Sequence, residues 1–160
     1  MNTLAEKSIQ TLELPTVLGQ LAQQAVSDEG KERCLHLQPV SGLEEAQRLQ
    51  EETEAARGRL ALHGSPSFSG VKDVSRALSR AEHGGMLSTR ELLDIAGLLT
   101  ASRRVWEYDR ERQGEKTVLD HLFSALHTNK FLEDKIRGAI LDEETIADSA
   151  SPELADIRRK

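Results

Sequence analysis

Apolar residues recur at steps of three and four along several stretches of this chain, and this spacing is its strongest constraint on the fold. Because an α-helix turns once in about 3.6 residues, side chains at such steps share one helix face. The clearest stripe consists of Leu92, Ile95, Ala96, Leu99, Ser102, Val105 and Trp106. The spacing predicts a mainly α fold, an array of amphipathic helices packed through their apolar faces.

Short polar motifs mark where helices begin. Ser88 and Glu91 have the spacing of a capping box, in which each residue satisfies a free backbone N–H of the first helical turn, and Ser41 with Glu44 repeats it. Ser151 followed by proline is a further helix start. With the apolar stripes, these signals predict helices over about 14–21, 27–37, 43–63, 74–83, 88–114, 118–126, 131–140 and from 152 onward.

Turn-forming residues separate the helices. The clearest break is the stretch 64–70, rich in glycine, proline and serine, in which Phe68 is the one candidate for burial. A polar run between Ile140 and Ile146 predicts a tight turn, which could close a small β-hairpin near 140–147. The expected organisation is an N-terminal helical segment over 1–63, a second helical segment of the same core over 64–150, and the start of a truncated long helix over 151–160.

Composition excludes several classes of protein. The net charge is −6 and aromatic residues make up 3% of the chain, so a broad nucleic-acid surface or a base-stacking platform is not expected. The apolar runs are far shorter than the roughly 20 residues that cross a bilayer. Together with a single cysteine, Cys34, and no signal peptide, this predicts a cytoplasmic protein without membrane contact.

The sequence offers no set of residues for catalysis. Gly30-Lys31 is followed by Glu32, whose charge opposes phosphate, and the five histidines lack the spacing of a metal site. Cys34 lies in an apolar helical setting that favours an inert thiol. We therefore predict no catalytic, cofactor-binding or metal-ligating residue in this chain.

Two local groups of arginines are the only nucleic-acid signal. The candidate nucleic-acid-facing residues are Arg76, Arg80, Arg103, Arg104, Arg110 and Arg112. Acidic residues are interleaved with the second group, so a charge-balanced solvated face is the favoured interpretation. On that interpretation, replacing Arg103 and Arg104 with glutamate changes stability little.

Three stretches in order along the chain resemble one family. The first runs from Thr11 to Ala22 and continues through 30–39, the second covers 64–96, and the third covers 148–159. Together they resemble the N-terminal region of the bacterial MutS paralogue family that lacks the mismatch-recognition domain and ends in an Smr endonuclease domain. Leu14 departs from that family, which usually has an aromatic residue there.

The resemblance implies a much longer protein with a helical core, a clamp, a dimerising ATPase domain and the Smr nuclease domain. Such proteins are ATPases and endonucleases that use ATP and Mg²⁺, form homodimers, and act on branched DNA in recombination suppression or on collided ribosomes in subunit splitting. This chain would be a non-catalytic part of the core, contacting the rest of the polypeptide. A stand-alone helical adaptor that binds a protein partner is the alternative.

Overall fold

The structure, a computed structural model, describes residues 3–111 and 116–159, with only the backbone described for 3–6. The described part is helical and contains no β-sheet, which confirms the predicted mainly α fold. Its helices are α1 (Thr3–Thr11), α2 (Leu14–Gln24), α3 (Asp28–Leu35), α4 (Leu43–His63), α5 (Ser75–Glu82), α6 (Thr89–Arg110), α7 (Asp120–Ser124), α8 (Lys130–Ala139) and α9 (Pro152–Arg158), with a 3₁₀ helix at Asp148–Ala150.

The chain forms two compact units, Met1–Ala46 and Gln47–Lys160. The division falls inside α4, and within the second unit Arg59 of α4 binds Asp109 of α6 at 2.9 Å. The boundary at residue 63 stays a prediction. A long helix can continue through the edge of a unit, so its end need not coincide with a domain boundary.

The first unit is built from α1, α2 and α3, with α2 packed on α3. Glu13 adopts a left-handed conformation, φ 54°, which separates α1 from α2, and Pro15 lies in the first turn of α2 as predicted. Ser27 caps α3 by accepting a hydrogen bond from the N–H of Gly30 at 3.1 Å. Ala22 is the buried residue of α2.

Helix α4 ends at His63, as predicted from the periodicity. It begins at Leu43, which places Gly42, and not the predicted Ser41, immediately before the helix. The 64–70 stretch that follows is non-helical, as expected, but Phe68 is 42% exposed. The expectation of a buried Phe68 is therefore wrong, because this loop lies at the surface of its unit.

The core of the second unit lies between α6, α8 and the start of α5. Its buried cluster consists of Val74, Ile95, Ala96, Ile136 and Ile140. The predicted capping box at the start of α6 is formed, and Leu87 and Leu92 pack on the core on either side of the cap. The described part of α6 ends at Arg110, and the predicted end near Gly114 lies outside the described residues.

Three further predictions concern the part of the chain after α6. Helix α7 covers five residues instead of the expected 118–126. The expected hairpin is a single antiparallel bridge between Ile140 and Ile146, closed by a hydrogen bond from the N–H of Leu141 to the carbonyl of Thr145 at 3.0 Å. Ser151 caps α9 as predicted. Among the described helices, none is long and apolar enough to cross a membrane.

Candidate functional site

A buried carboxylate joins α6 to α8. Glu133 of α8 is 3% exposed, and the Arg103 guanidinium of α6 donates two hydrogen bonds to it, from Nε and Nη2, both 3.1 Å long. The Thr100 hydroxyl lies 2.9 Å from the same carboxylate and accepts a hydrogen bond from Arg137 Nη2 at 2.9 Å. A buried charge is tolerated when it is paired and hydrogen-bonded, and Glu133 meets both conditions.

This environment fixes the charge of Glu133. Hydrogen bonds from Arg103 lower the pKa of Glu133 to about 2, against the opposing effect of burial, and the bond from Thr100 adds to the lowering. In return, Glu133 and Glu107 raise the pKa of Arg103. A carboxylate that stays ionised at neutral pH is poorly suited to general acid chemistry, so we interpret the network as a structural link.

A buried cation links α4 to α6 and α7. The Arg59 guanidinium binds Asp109 and lies over the Phe123 ring, 4.3 Å from its centroid. Its Nη2 is buried without a hydrogen-bond partner. Beside it, the Tyr108 hydroxyl donates to the carbonyl of Gly64 at 2.9 Å, and burial raises the pKa of Tyr108.

Sequence reasoning missed Arg59 because a charged residue is normally assigned to the solvated face of a helix. The apolar periodicity of α4 runs through Ala56 and Leu60, and Leu60 is 48% exposed. Arg59 lies three residues after Ala56 and so shares the face of that stripe residue. The sequence feature that could have indicated the burial of Arg59 is its position three residues after a small apolar residue on the same helix face.

The first predicted arginine group lies at the surface of α5. Arg80 forms an ion pair with Glu91, and its Nε donates to the carbonyl of Met86 at 3.2 Å. The Arg80 and Ser88 hydrogen bonds, with the backbone N–H of Ser88 contributing most, lower the pKa of Glu91 to about 2. Arg76 is exposed one turn before Arg80. Arg80 thus ties α5 to the start of α6.

The second predicted group does not share one face. Arg103 is turned toward Glu133, whereas Arg104 is exposed and Arg110 lies over the Trp106 ring, 4.7 Å from its centroid. Arg110 follows Arg104 by six residues, which places the two side chains about 120° apart around the helix axis. They therefore point in different directions. Arg112 lies outside the described residues.

This placement corrects the expectation for Arg103. The sequence treated Arg103 and Arg104 as equivalent surface residues whose replacement by glutamate changes stability little. In the structure, a glutamate at 103 would face the buried Glu133 carboxylate, so the two positions are not equivalent. The nucleic-acid hypothesis therefore depends on the exposed residues Arg76, Arg104 and Arg110.

Three of the histidines make local backbone contacts. Nδ1 of His36 lies 2.8 Å from the carbonyl oxygen of Glu32, Nδ1 of His83 lies 2.7 Å from that of Ser79, and Nδ1 of His121 lies 2.8 Å from that of Val118. Within the ranges 3–111 and 116–159, no group of three or more histidine, cysteine or acidic side chains is arranged to hold a metal ion.

No family model matches the chain. Individual relatives do: the chain is 38% identical over 158 residues to a protein named Endonuclease MutS2 from Acetivibrio thermocellus. It is 40% identical over 156 residues to that of Agathobacter rectalis and 39% identical over 155 residues to that of Pelotomaculum thermopropionicum.

These alignments cover 97%, 96% and 97% of this chain but 20% of each relative. The chain thus spans about one fifth of the length of the relatives it matches. Since at least 96% of the chain is aligned, each of the three stretches singled out in the sequence lies at least in part within the similarity. The chain is therefore similar to one fifth of the length of proteins named Endonuclease MutS2.

Proposed function

We propose that this chain is a non-catalytic segment of the helical core of a MutS2-type endonuclease. The observation that carries the proposal is the similarity of 97% of the chain, at 38% identity, to one fifth of a protein named Endonuclease MutS2. Similarity over so much of the chain supports a common fold and a common place in a longer polypeptide. The ATP and Mg²⁺ sites and the nuclease site would then lie elsewhere in that polypeptide.

The longer protein would act as a homodimer in the cytoplasm, on branched DNA in recombination suppression, on collided ribosomes in subunit splitting, or on both. Within it, this segment would transmit movement between the ATPase domain and the part that grips nucleic acid. The links between helices support that role. Motion is carried over a distance by rigid elements joined through packed and hydrogen-bonded contacts, and Glu133 with Arg103 joins α6 to α8 in this way.

The test uses the complete polypeptide that contains this chain, with Glu133→Ala to break the α6–α8 link. Glu111→Ala, an exposed residue just after α6, is the matched control. We expect Glu133→Ala to weaken ATP-dependent binding to a four-way DNA junction and ATP-dependent splitting of collided ribosomes. The control variant should behave as the wild type does.

Deleting the segment gives the decisive comparison. If the longer polypeptide without residues 47–159 still bound four-way junctions and ribosomes in an ATP-dependent manner, the segment would have no transmitting role. The adaptor alternative makes a different prediction, because it requires the natural reading frame to end at Lys160. A stop codon directly after Lys160 would therefore favour the adaptor over the core-segment proposal.

A further inference from the structure

An open apolar groove of about 410 Å³ lies against α6 in the second unit. Leu98 and Val105 of α6 line it, as does Leu126 just after α7. Phe68, from the loop between α4 and α5, also lines the groove and is 42% exposed. None of the described residues that line the groove is Asp, Glu, Lys or Arg. The groove is therefore an apolar surface with an aromatic side chain at its edge.

The loop segment 64–72, here called the strap, is anchored to α6 at two points. At its start, the Tyr108 hydroxyl donates a hydrogen bond to the carbonyl of Gly64 at 2.9 Å. Further along, Gly70 lies against Gly97 so closely that a Cβ built on Gly97 would be 3.0 Å from the Gly70 carbonyl oxygen. The strap thus runs antiparallel to α6 and passes the groove between its two anchors.

Between the two anchors, the strap is held by local contacts. The Ser65 hydroxyl donates to the carbonyl of Pro66 at 3.3 Å. The N–H of Ser69 lies 3.5 Å from the Ser67 hydroxyl oxygen. Both contacts stay within the strap and lie at the long end of hydrogen-bond distances. They therefore oppose a movement of the middle of the strap only weakly.

The strap is also longer than the distance between its anchors. Tyr108 and Gly97 are eleven residues apart, which is about 16.5 Å along the axis of α6. The six residue steps from Gly64 to Gly70 extend to about 20 to 22 Å when the backbone is straight. The difference leaves slack in the part of the strap that carries Phe68.

The groove is large enough for a phenyl ring. An apolar cavity of about 150 Å³ holds a benzene molecule, and the groove measures about 410 Å³. Entry of the Phe68 ring would remove its exposed apolar surface from water, which is favourable. Because the ring is attached beside the groove, its entry also avoids the loss of translational freedom that a separate ligand suffers on binding.

We propose that the strap is a lid, whose middle part closes toward α6 and places the Phe68 ring in the groove. The structure holds the open conformation, with Phe68 at the edge of the groove. In the closed conformation the ring covers Leu98 and Val105 while both anchors stay formed. The lid keeps this apolar surface from promoting association, and its opening controls access to α6. The inference does not depend on the proposed function.

The experiment is ¹⁹F NMR of the chain with 4-fluorophenylalanine at its three phenylalanines, Phe68, Phe123 and Phe131. Phe68→Leu and Phe131→Leu each remove one signal, which assigns all three. A soluble gadolinium chelate then broadens each signal according to its exposure, and Phe131, which is 77% exposed, is the internal reference. We expect the Phe68 signal to broaden several-fold less than that of Phe131, and less than that of the partly buried Phe123.

A variant that fills the groove from another side tests where the ring goes. Ala125 lines the groove at an exposed position, so Ala125→Trp should occupy the groove and return Phe68 to solvent. We expect the broadening of the Phe68 signal to rise several-fold in this variant. Ser124→Trp, at the neighbouring exposed position that does not line the groove, is the matched control and should leave the Phe68 signal as in the wild type.

Three outcomes overturn the lid. The first is a Phe68 signal broadened to a degree between those of Phe123 and Phe131, as the open conformation alone requires. The second is protection of Phe68 that Ala125→Trp does not remove, and the third is protection that is lost on dilution, which would assign it to a second copy. The wild-type comparison needs no groove variant, so it decides the question even if Ala125→Trp fails to fold.

Discussion

Arg103 of α6 and Glu133 of α8 are joined by two hydrogen bonds, and only the carboxylate of the pair is fully buried. Arg103 also reaches Glu107 on its own helix at 3.0 Å. The guanidinium therefore shares its donors between a buried and an exposed partner. This arrangement makes the charge of Glu133 a determinant of how firmly α8 is held on α6.

The first prediction is an acid dependence of stability that Glu133 controls. Its pKa is about 2 in the folded chain and 4.5 ordinarily, so the folded state favours the ionised form. The resulting stability is present above pH 4.5 and is lost as the pH falls from 4.5 toward 2. Glu133→Gln should lower the free energy of unfolding by about 1 to 3 kcal/mol at pH 7.

The measurement is urea unfolding of both proteins between pH 7 and pH 2.5. The difference in the free energy of unfolding between wild type and Glu133→Gln should narrow below pH 4.5, because Glu133 then becomes protonated in the unfolded wild-type chain while it stays ionised in the folded chain down to about pH 2. Glu91 has a similarly lowered pKa but titrates in both proteins, so it does not affect the gap. A gap that stays constant across the range would show that the Glu133 charge makes no contribution.

The second prediction separates two neighbouring arginines. Arg103→Glu should clearly lower the thermal midpoint, because a carboxylate would replace the guanidinium that pairs with the buried Glu133. Arg104→Glu, at an exposed position on the same helix, should leave the midpoint nearly unchanged. Equal midpoints for the two variants would contradict the placement of Arg103 against α8.

The third prediction concerns the core between α6 and α8. Ile95 is 9% exposed and belongs to the buried cluster, so Ile95→Ala should reduce the free energy of unfolding by about 2 to 5 kcal/mol. Leu62→Ala removes a similar amount of side chain at a position that is 78% exposed. Its effect should stay within about 0.5 kcal/mol. Chemical denaturation of the two variants decides whether this face of α6 is the inner one.

The fourth prediction uses two helical glycines. A valine at Gly97 would push its side chain against the carbonyl of Gly70, so Gly97→Val should destabilise the chain by about 1 to 3 kcal/mol. Gly58 in α4 has open space around its Cα, and Gly58→Ala should stabilise by roughly 0.5 to 1 kcal/mol through helix propensity alone. A calorimetric midpoint that rises for Gly97→Val, as it should for Gly58→Ala, would refute the close contact.

The fifth prediction tests the nucleic-acid hypothesis in the longer polypeptide. If the exposed Arg104 and Arg110 contact phosphates, each alanine replacement should reduce the slope of log affinity against log salt by about 0.9. Binding of a DNA junction measured at several salt concentrations gives this slope. A slope that neither replacement changes would remove both residues from the nucleic-acid surface.

Local sequence signals predicted most of the helices because their causes are local. A helix start depends on a cap and the following turn, so Ser88 with Glu91 and Ser151 were identified from their immediate neighbours. A helix end depends on which backbone conformation one residue can adopt, and Gly84 takes the left-handed form that closes α5. Charge and composition were equally readable without a structure.

The tertiary structure alone decided which side chains meet across helices. Periodicity places a residue on a face but does not say what covers that face, so the half-exposed Phe68 and the buried Arg59 were both missed. The difference between Arg103 and Arg104 was missed for the same reason. Glu133, which binds Arg103, lies 30 residues further along the chain. Spacing along one helix determined the helices, while the pairing of distant residues in space determined which charged side chains are buried.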